Sequence, residues 1–267
     1  MKTITLLLLT LGLTSVAQAK IIAEQIDYES GNQTMKGYLA YDDAISGKRP
    51  GVIVIHEWWG HNDYARSRAR QLAALGYTAF ALDMYGEGKT ANHPKRAASF
   101  SNAVWKNLPQ AHQRFQAAYD ILARHETVNT ELAAIGYCFG GAMVLEMARS
   151  GFDLKGVASF HGSLNNAAPL PDKAYRAKVL VANGGDDPFV KPEHIKAFRK
   201  SMKNANIDLE YISYPGAKHA FTNPDATALG EKFGLPLAYN AEADKRSWEA
   251  LQAFLKRVFD SGPATAQ

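Results

Sequence analysis

The chain has almost no cysteine: Cys138 is its one thiol in 267 residues. An internal disulfide is excluded, and a lone thiol in an oxidising compartment favours a specific use for it. Long apolar runs are lacking too. The one candidate, Ile4 to Leu13, is too short to cross a bilayer as a helix, so no membrane span is expected. There is no basic block. The net charge is +4, with Lys and Arg scattered among Asp and Glu, so nucleic acid is not an expected partner. Metal-ligand spacing such as H-E-x-x-H is missing among His56, His61, His93, His112, His125, His161 and His194. Most of these are expected at the surface or at strand ends, and no metal or cofactor is expected. No internal repeat or long linker divides the chain.

What is present begins with Met1-Lys2, the short apolar run, and Ala17-Gln18-Ala19. A positive start, an apolar core and an A-x-A site read as a cleaved secretory signal over residues 1–19, with the mature chain starting near Lys20. The protein is therefore expected to be exported, periplasmic or secreted. Residues 20–260 suffice for one α/β domain with a full core, and 261–267 read as a loose polar tail. Either a monomer or a dimer is compatible with this composition.

Elements alternate along that domain. Ile21–Tyr28 and Gln33–Tyr41 flank Ser30-Gly31-Asn32 as an antiparallel hairpin. Apolar runs at Gly51–His56, Tyr77–Leu82, Glu131–Tyr137, Gly156–Phe160, Lys178–Ala182 and Leu209–Tyr214 read as buried strands. Helical spacing appears over Asn62–Leu75, Asn92–Asn107, Pro192–Lys203 and Ala241–Val258. It also covers Gln110–His125, after a break at Pro109. The alternation predicts a mostly parallel central sheet with helices on both faces. Phe221–Tyr239, rich in Gly and Pro, reads as a long loop able to roof a site.

Cys138 lies in Gly136-Tyr137-Cys138-Phe139-Gly140-Gly141, after a strand pattern and before a helical one. That is the strand–turn–helix context of the G-x-S-x-G nucleophile elbow, with a thiol in place of the hydroxyl. The turn strains the nucleophile's backbone, so residues two positions away must lack bulk. Backbone N–H groups at the helix start then point at a developing oxyanion. In α/β-hydrolases an acid and a histidine follow the nucleophile, each after a later strand. Strand Lys178–Ala182 leads to Asp186-Asp187-Pro188, and Leu209–Tyr214 leads to His219. His219 would pair with the thiol, and one aspartate would orient its imidazole. Adjacent side chains diverge, so only one of Asp186 and Asp187 can face it. After strand Gly51–Ile55, His56-Glu57-Trp58-Trp59-Gly60 is where a second oxyanion donor arises, so the N–H groups of Trp58 and Phe139 form the expected pair. Glu57 is then expected near the thiol.

These residues resemble the dienelactone hydrolase family. The matching pieces are His56–Gly60, Leu82-Asp83-Met84-Tyr85, the Gly136–Gly141 elbow, Gly184–Val190, and Tyr214 through Phe221. The resemblance implies an α/β-hydrolase fold and a Cys-His-Asp triad on Cys138, His219 and Asp187, the last aligning with the acid before Phe189-Val190. It also implies that Glu57 modulates the resting thiol. Two positions depart. Family members acting on dienelactone carry an arginine shortly after the Asp-x-Tyr motif and a serine after the histidine. Here Gly86-Glu87-Gly88-Lys89 follows Tyr85, and Ala220 follows His219. The fold and triad carry over; the dienelactone substrate does not, unless Lys89 supplies the missing charge.

The expected activity is cleavage of a small-molecule carboxylic ester or lactone through a thioester acyl-enzyme. A non-catalytic binding protein or a redox sensor on the same fold is the alternative. The intact triad argues against the first, and the lack of a resolving thiol against the second.

Overall fold

A computed structural model describes residues 20–165, 167–168 and 175–260. The expected signal segment and polar tail lie outside the described residues. Eight strands form one sheet in the order β1-β2-β4-β3-β5-β6-β7-β8. Strands β1 (Ile21–Ser30) and β2 (Gln33–Asp42) are the expected hairpin, and β2 also pairs antiparallel with β4 (Thr78–Leu82). Every other pairing is parallel, among β3 (Arg49–Ile55), β4, β5 (Val128–Tyr137), β6 (Gly156–Phe160), β7 (Lys178–Gly184) and β8 (Leu209–Tyr214).

Burial on both faces explains the unbroken apolar strands. Along β3, Ile53 and Ile55 enter one core and Val52 and Val54 the other, because successive side chains alternate. The first core is completed by α3 (Leu108–Arg124), α4 (Phe139–Arg149) and α5 (Pro192–Asn204) through Phe115, Met143 and Phe198. The second is closed by α1 (Asp63–Ala74) and α7 (Ala241–Asp260) through Leu72 and Phe254. Each such fully buried side chain stabilises the fold by about 1.5–3 kcal/mol relative to exposure.

Two sequence readings change. Pro109 does not break a helix but opens one: α3 starts at Leu108, and Asn107 Oδ1 accepts from the Gln110 N–H at 3.2 Å. A proline costs nothing in the first turn, where its missing N–H has no partner anyway. The preceding helix, α2 (Pro94–Lys106), begins the same way. Phe221–Tyr239 is not all loop. It contains α6 (Ala226–Phe233), ended by Gly234 at φ +63°, a left-handed cap that glycine adopts freely.

The order β4-β3-β5 reverses direction at β3, a topological switch point. In open α/β sheets the crevice beside such a point, at the carboxyl ends of the strands, takes ligands. The segments after β3, β5, β6, β7 and β8 all converge there.

Candidate active site

Cys138 sits between β5 and α4 with φ +53° and ψ −112°, a conformation that costs a non-glycine residue strain. The neighbouring glycines make it possible. A Cβ on Gly136 would lie 2.1 Å from the Gly140 carbonyl oxygen, and one on Gly140 would lie 2.2 Å from the Ile55 oxygen. Backbone blocks both, so neither clash has an easy way out. The Cys138 N–H is doubly engaged, to the Phe160 carbonyl at 2.9 Å and to His161 Nδ1 at 3.0 Å.

His219 follows β8 and meets two partners. Its Nδ1 is 2.8 Å from Asp187 Oδ2, and its ring lines the same cavity as Cys138. Burial alone would hold the imidazole low. The Cys138 thiolate and the Asp187 carboxylate outweigh it and raise the pKa to about 10, favouring an imidazolium. Asp187 Oδ1 accepts from the Phe189 N–H at 2.9 Å, which fixes the carboxylate plane. Asp186 is exposed while Asp187 is buried, so the alternative between them resolves to Asp187 as the partner of His219.

Trp58 and Phe139 line one cavity together with Cys138. Their N–H groups have no hydrogen-bond partner among the described residues. His56 braces this loop. Its Nε2 accepts from the Met84 N–H at 3.2 Å, so Nδ1 carries the proton and donates to the Glu57 carbonyl at 2.6 Å. Burial keeps this imidazole neutral.

Glu57 is fully buried in the same loop. Asn223 Nδ2 donates to its Oε2 at 2.6 Å, while Oε1 has no partner. The carboxyl thus bonds to Asn223 and not to the thiol. Burial raises its pKa to about 7, against the opposing pull of the Asn223 hydrogen bond and the positive charges of His219 and Arg68. Lys89 does not reach the site: it pairs with Glu87 at 3.3 Å and lines a separate cavity with Arg114.

Several supporting residues escape sequence reading. His161 follows β6, is fully buried, and is held neutral by burial. Since Nδ1 accepts from Cys138, its Nε2 donates to Thr222 Oγ1 at 2.8 Å. Thr222 in turn meets the Tyr64 hydroxyl at 2.6 Å, and Arg68 donates to the Thr222 carbonyl at 2.7 Å and to Asp244 at 2.6 Å. The elbow and the His219 loop are thus tied together by a buried polar chain that ends in an ion pair. His61 is the histidine that departs from expectation, buried in a loop with Nδ1 at 2.6 Å from the Lys36 carbonyl. Among the described residues, no three His, Cys, Asp or Glu side chains group as a metal site. No helix among them is long and apolar enough to cross a membrane.

Residues 35–259 match the model of the dienelactone hydrolase family. The chain belongs to that family. It is accordingly an ester or lactone hydrolase with an α/β-hydrolase fold, in agreement with the sheet and elbow. A Saccharolobus solfataricus protein provisionally named carboxymethylenebutenolidase is 28% identical, over 88% of this chain and 98% of its own. A solved dienelactone hydrolase-like promiscuous phosphotriesterase from metagenomic libraries is 36% identical with TM-score 0.80, covering 89% of this chain and 98% of its own. A Klebsiella pneumoniae structure, provisionally a dienelactone hydrolase, has TM-score 0.74 at 23% identity, covers 89% of this chain and 99% of its own, and speaks for the fold.

Proposed function

We propose that this family member cleaves a carboxylic ester or lactone with Cys138 as nucleophile, His219 as proton carrier and Asp187 as the acid that orients it. The observation that carries this reading is the His219 imidazole, bonded to Asp187 at 2.8 Å and lining one cavity with the chain's one thiol. In the reacting pair His219 takes the thiol proton and leaves the charge on sulfur. The thiolate attacks the carbonyl carbon, and the tetrahedral oxyanion accepts from the free N–H groups of Trp58 and Phe139. The imidazolium then gives its proton to the departing alkoxide, leaving a thioester on Cys138. Neutral His219 takes a proton from water, the hydroxide attacks the thioester, and the acid leaves as thiolate and imidazolium re-form. Asp187 keeps Nδ1 protonated throughout, so Nε2 is the nitrogen that exchanges the proton.

Glu57 modulates the thiol in this scheme. It is buried within the electrostatic reach of His219, so its ionisation changes the field on the thiolate–imidazolium pair. The N-terminal segment is proposed to direct export, with cleavage near Ala19. N-terminal sequencing of the protein recovered from a periplasmic or secreted fraction tests that step.

Cys138→Ala tests the chemistry. Turnover of a neutral aryl acetate is expected to fall by roughly 10³-fold or more with the circular dichroism spectrum unchanged. Wild-type protein quenched in acid should carry the acyl group on the Cys138 peptide in mass spectrometry. Undiminished turnover by the folded variant would overturn the assignment.

A further inference from the structure

The site cavity holds about 470 Å³ and is walled by the aromatic rings of Trp58, Trp105, Phe139 and Phe189. Ser101, Asn102, Ser163 and Asn165 supply its polar groups, all of them uncharged. Among the described residues no Lys, Arg, Asp or Glu lines it; Cys138 and His219 are its titratable side chains. Sharing one proton, as thiol and imidazole or as thiolate and imidazolium, these two contribute no net charge. Three cations of the described residues are engaged elsewhere: Arg68 with Asp244 and the Thr222 carbonyl, Arg114 with the Met84 carbonyl and Gln33, and Lys89 with Glu87.

We propose that this cavity selects uncharged aryl-bearing esters or lactones and discriminates against substrates that carry a carboxylate. The inference rests on the reading that Cys138 attacks an ester bound here. A carboxylate entering this space sheds water and finds, among the described residues, no Lys or Arg in return, while the His219 ring is already bonded to Asp187, which makes its transfer unfavourable. Ring faces carry the negative side of the aromatic quadrupole, so the walls themselves are poor hosts for an anion. A neutral aromatic group loses little hydration there and gains offset or edge contacts with the rings. Phe189 is half-exposed at 49% and packs edge-on against His219, with centroids 5.0 Å apart, so one wall of the apolar surface stands directly beside the reacting groups. The Asn102 and Asn165 amides can donate to a neutral carbonyl or ring oxygen without requiring charge.

The test uses a matched pair, methyl 4-acetoxybenzoate and 4-acetoxybenzoate, which share the acetyl ester and ring and differ in charge. After correction for their hydroxide-catalysed rates, wild-type kcat/KM is expected to favour the methyl ester by about tenfold or more, equivalent to about 1.4 kcal/mol. Asn102→Arg places a cation in the exposed α2 wall and is expected to narrow that ratio by rescuing the anion. Equal or reversed preference in the wild type would overturn the inference, as would a ratio that Asn102→Arg leaves unchanged. If folded wild type turns over neither ester, the hydrolase reading fails. Calorimetric binding of methyl 4-hydroxybenzoate against 4-hydroxybenzoate then decides the selectivity separately: tighter binding of the neutral compound supports it, and equal or weaker binding refutes it.

Discussion

Replacing Glu57 with glutamine should make the protein's stability less sensitive to pH. In the unfolded chain this carboxyl titrates at its ordinary value of 4.5; in the fold, burial moves it to about 7. Between those values the folded state binds a proton that the unfolded state does not. The group's contribution to stability is therefore fully present below 4.5 and is lost as pH rises through 7. The loss amounts to about 3 kcal/mol, because each factor of ten in proton affinity is 1.36 kcal/mol. Burial is complete, so solvent screening does not reduce this figure appreciably. Glutamine keeps an oxygen for the Asn223 amide but cannot ionise. Its own amide lies where Oε1 has no partner, a fixed cost of about 1–3 kcal/mol at every pH. Urea unfolding of both proteins from about pH 4 to 8.5 separates the two contributions. The stability of Glu57→Gln relative to wild type should climb by about 3 kcal/mol across that range, whatever its starting offset. His219 titrates in both proteins, so its own contribution largely cancels in the difference. A difference that stays flat with pH would refute the assignment of a raised, buried carboxyl.

Asp187→Asn keeps the shape of the His219 contact but removes the charge that stabilises the imidazolium, so kcat should fall by roughly 10²–10⁴ with little change in KM. Steady-state kinetics on an aryl acetate checks this, and an unchanged kcat would contradict it. In Glu57→Gln, which removes the group that titrates near 7, kcat/KM should decline on its alkaline side only toward about 10, as the free enzyme loses its imidazolium. A decline centred near neutral pH would mean that the thiolate and Asp187 do not hold the proton. Gly136→Ala puts a methyl against backbone atoms at 2.1 and 2.3 Å, and should lower the unfolding free energy by at least the ~1–3 kcal/mol typical of overpacking, read as a lower urea midpoint. A midpoint equal to that of the wild type would show that the elbow has slack.

The parallel sheet and the elbow are legible in the sequence because both rest on short-range signals. Gly136, Gly140 and Gly141 flank Cys138 within three residues, and each strand is a contiguous apolar run. His219 and the Asp186-Asp187 pair are legible because each follows its strand closely, while the resemblance to the family is what singles out Asp187. The bracing groups are not, since their partners come from distant parts of the chain: Glu57 meets Asn223, and Arg68 meets Thr222 and Asp244. Nothing near His161 in sequence signals that its ring accepts the Cys138 N–H, because the contact depends on how β5 and β6 sit side by side. Helix α6 is hidden by composition: glycines at 230 and 234 read as loop, yet Gly230 lies against the Leu237 carbonyl, where a Cβ would come within 2.4 Å, and Gly234 is a cap.

A chain with one sulfhydryl, placed in the lining of its cavity, is its own titrant. A thiol-directed fluorophore has a single place to go, so label bound per chain counts the molecules whose Cys138 thiol is free and reachable. Protection from labelling by an added ester then measures occupancy directly, with no turnover required.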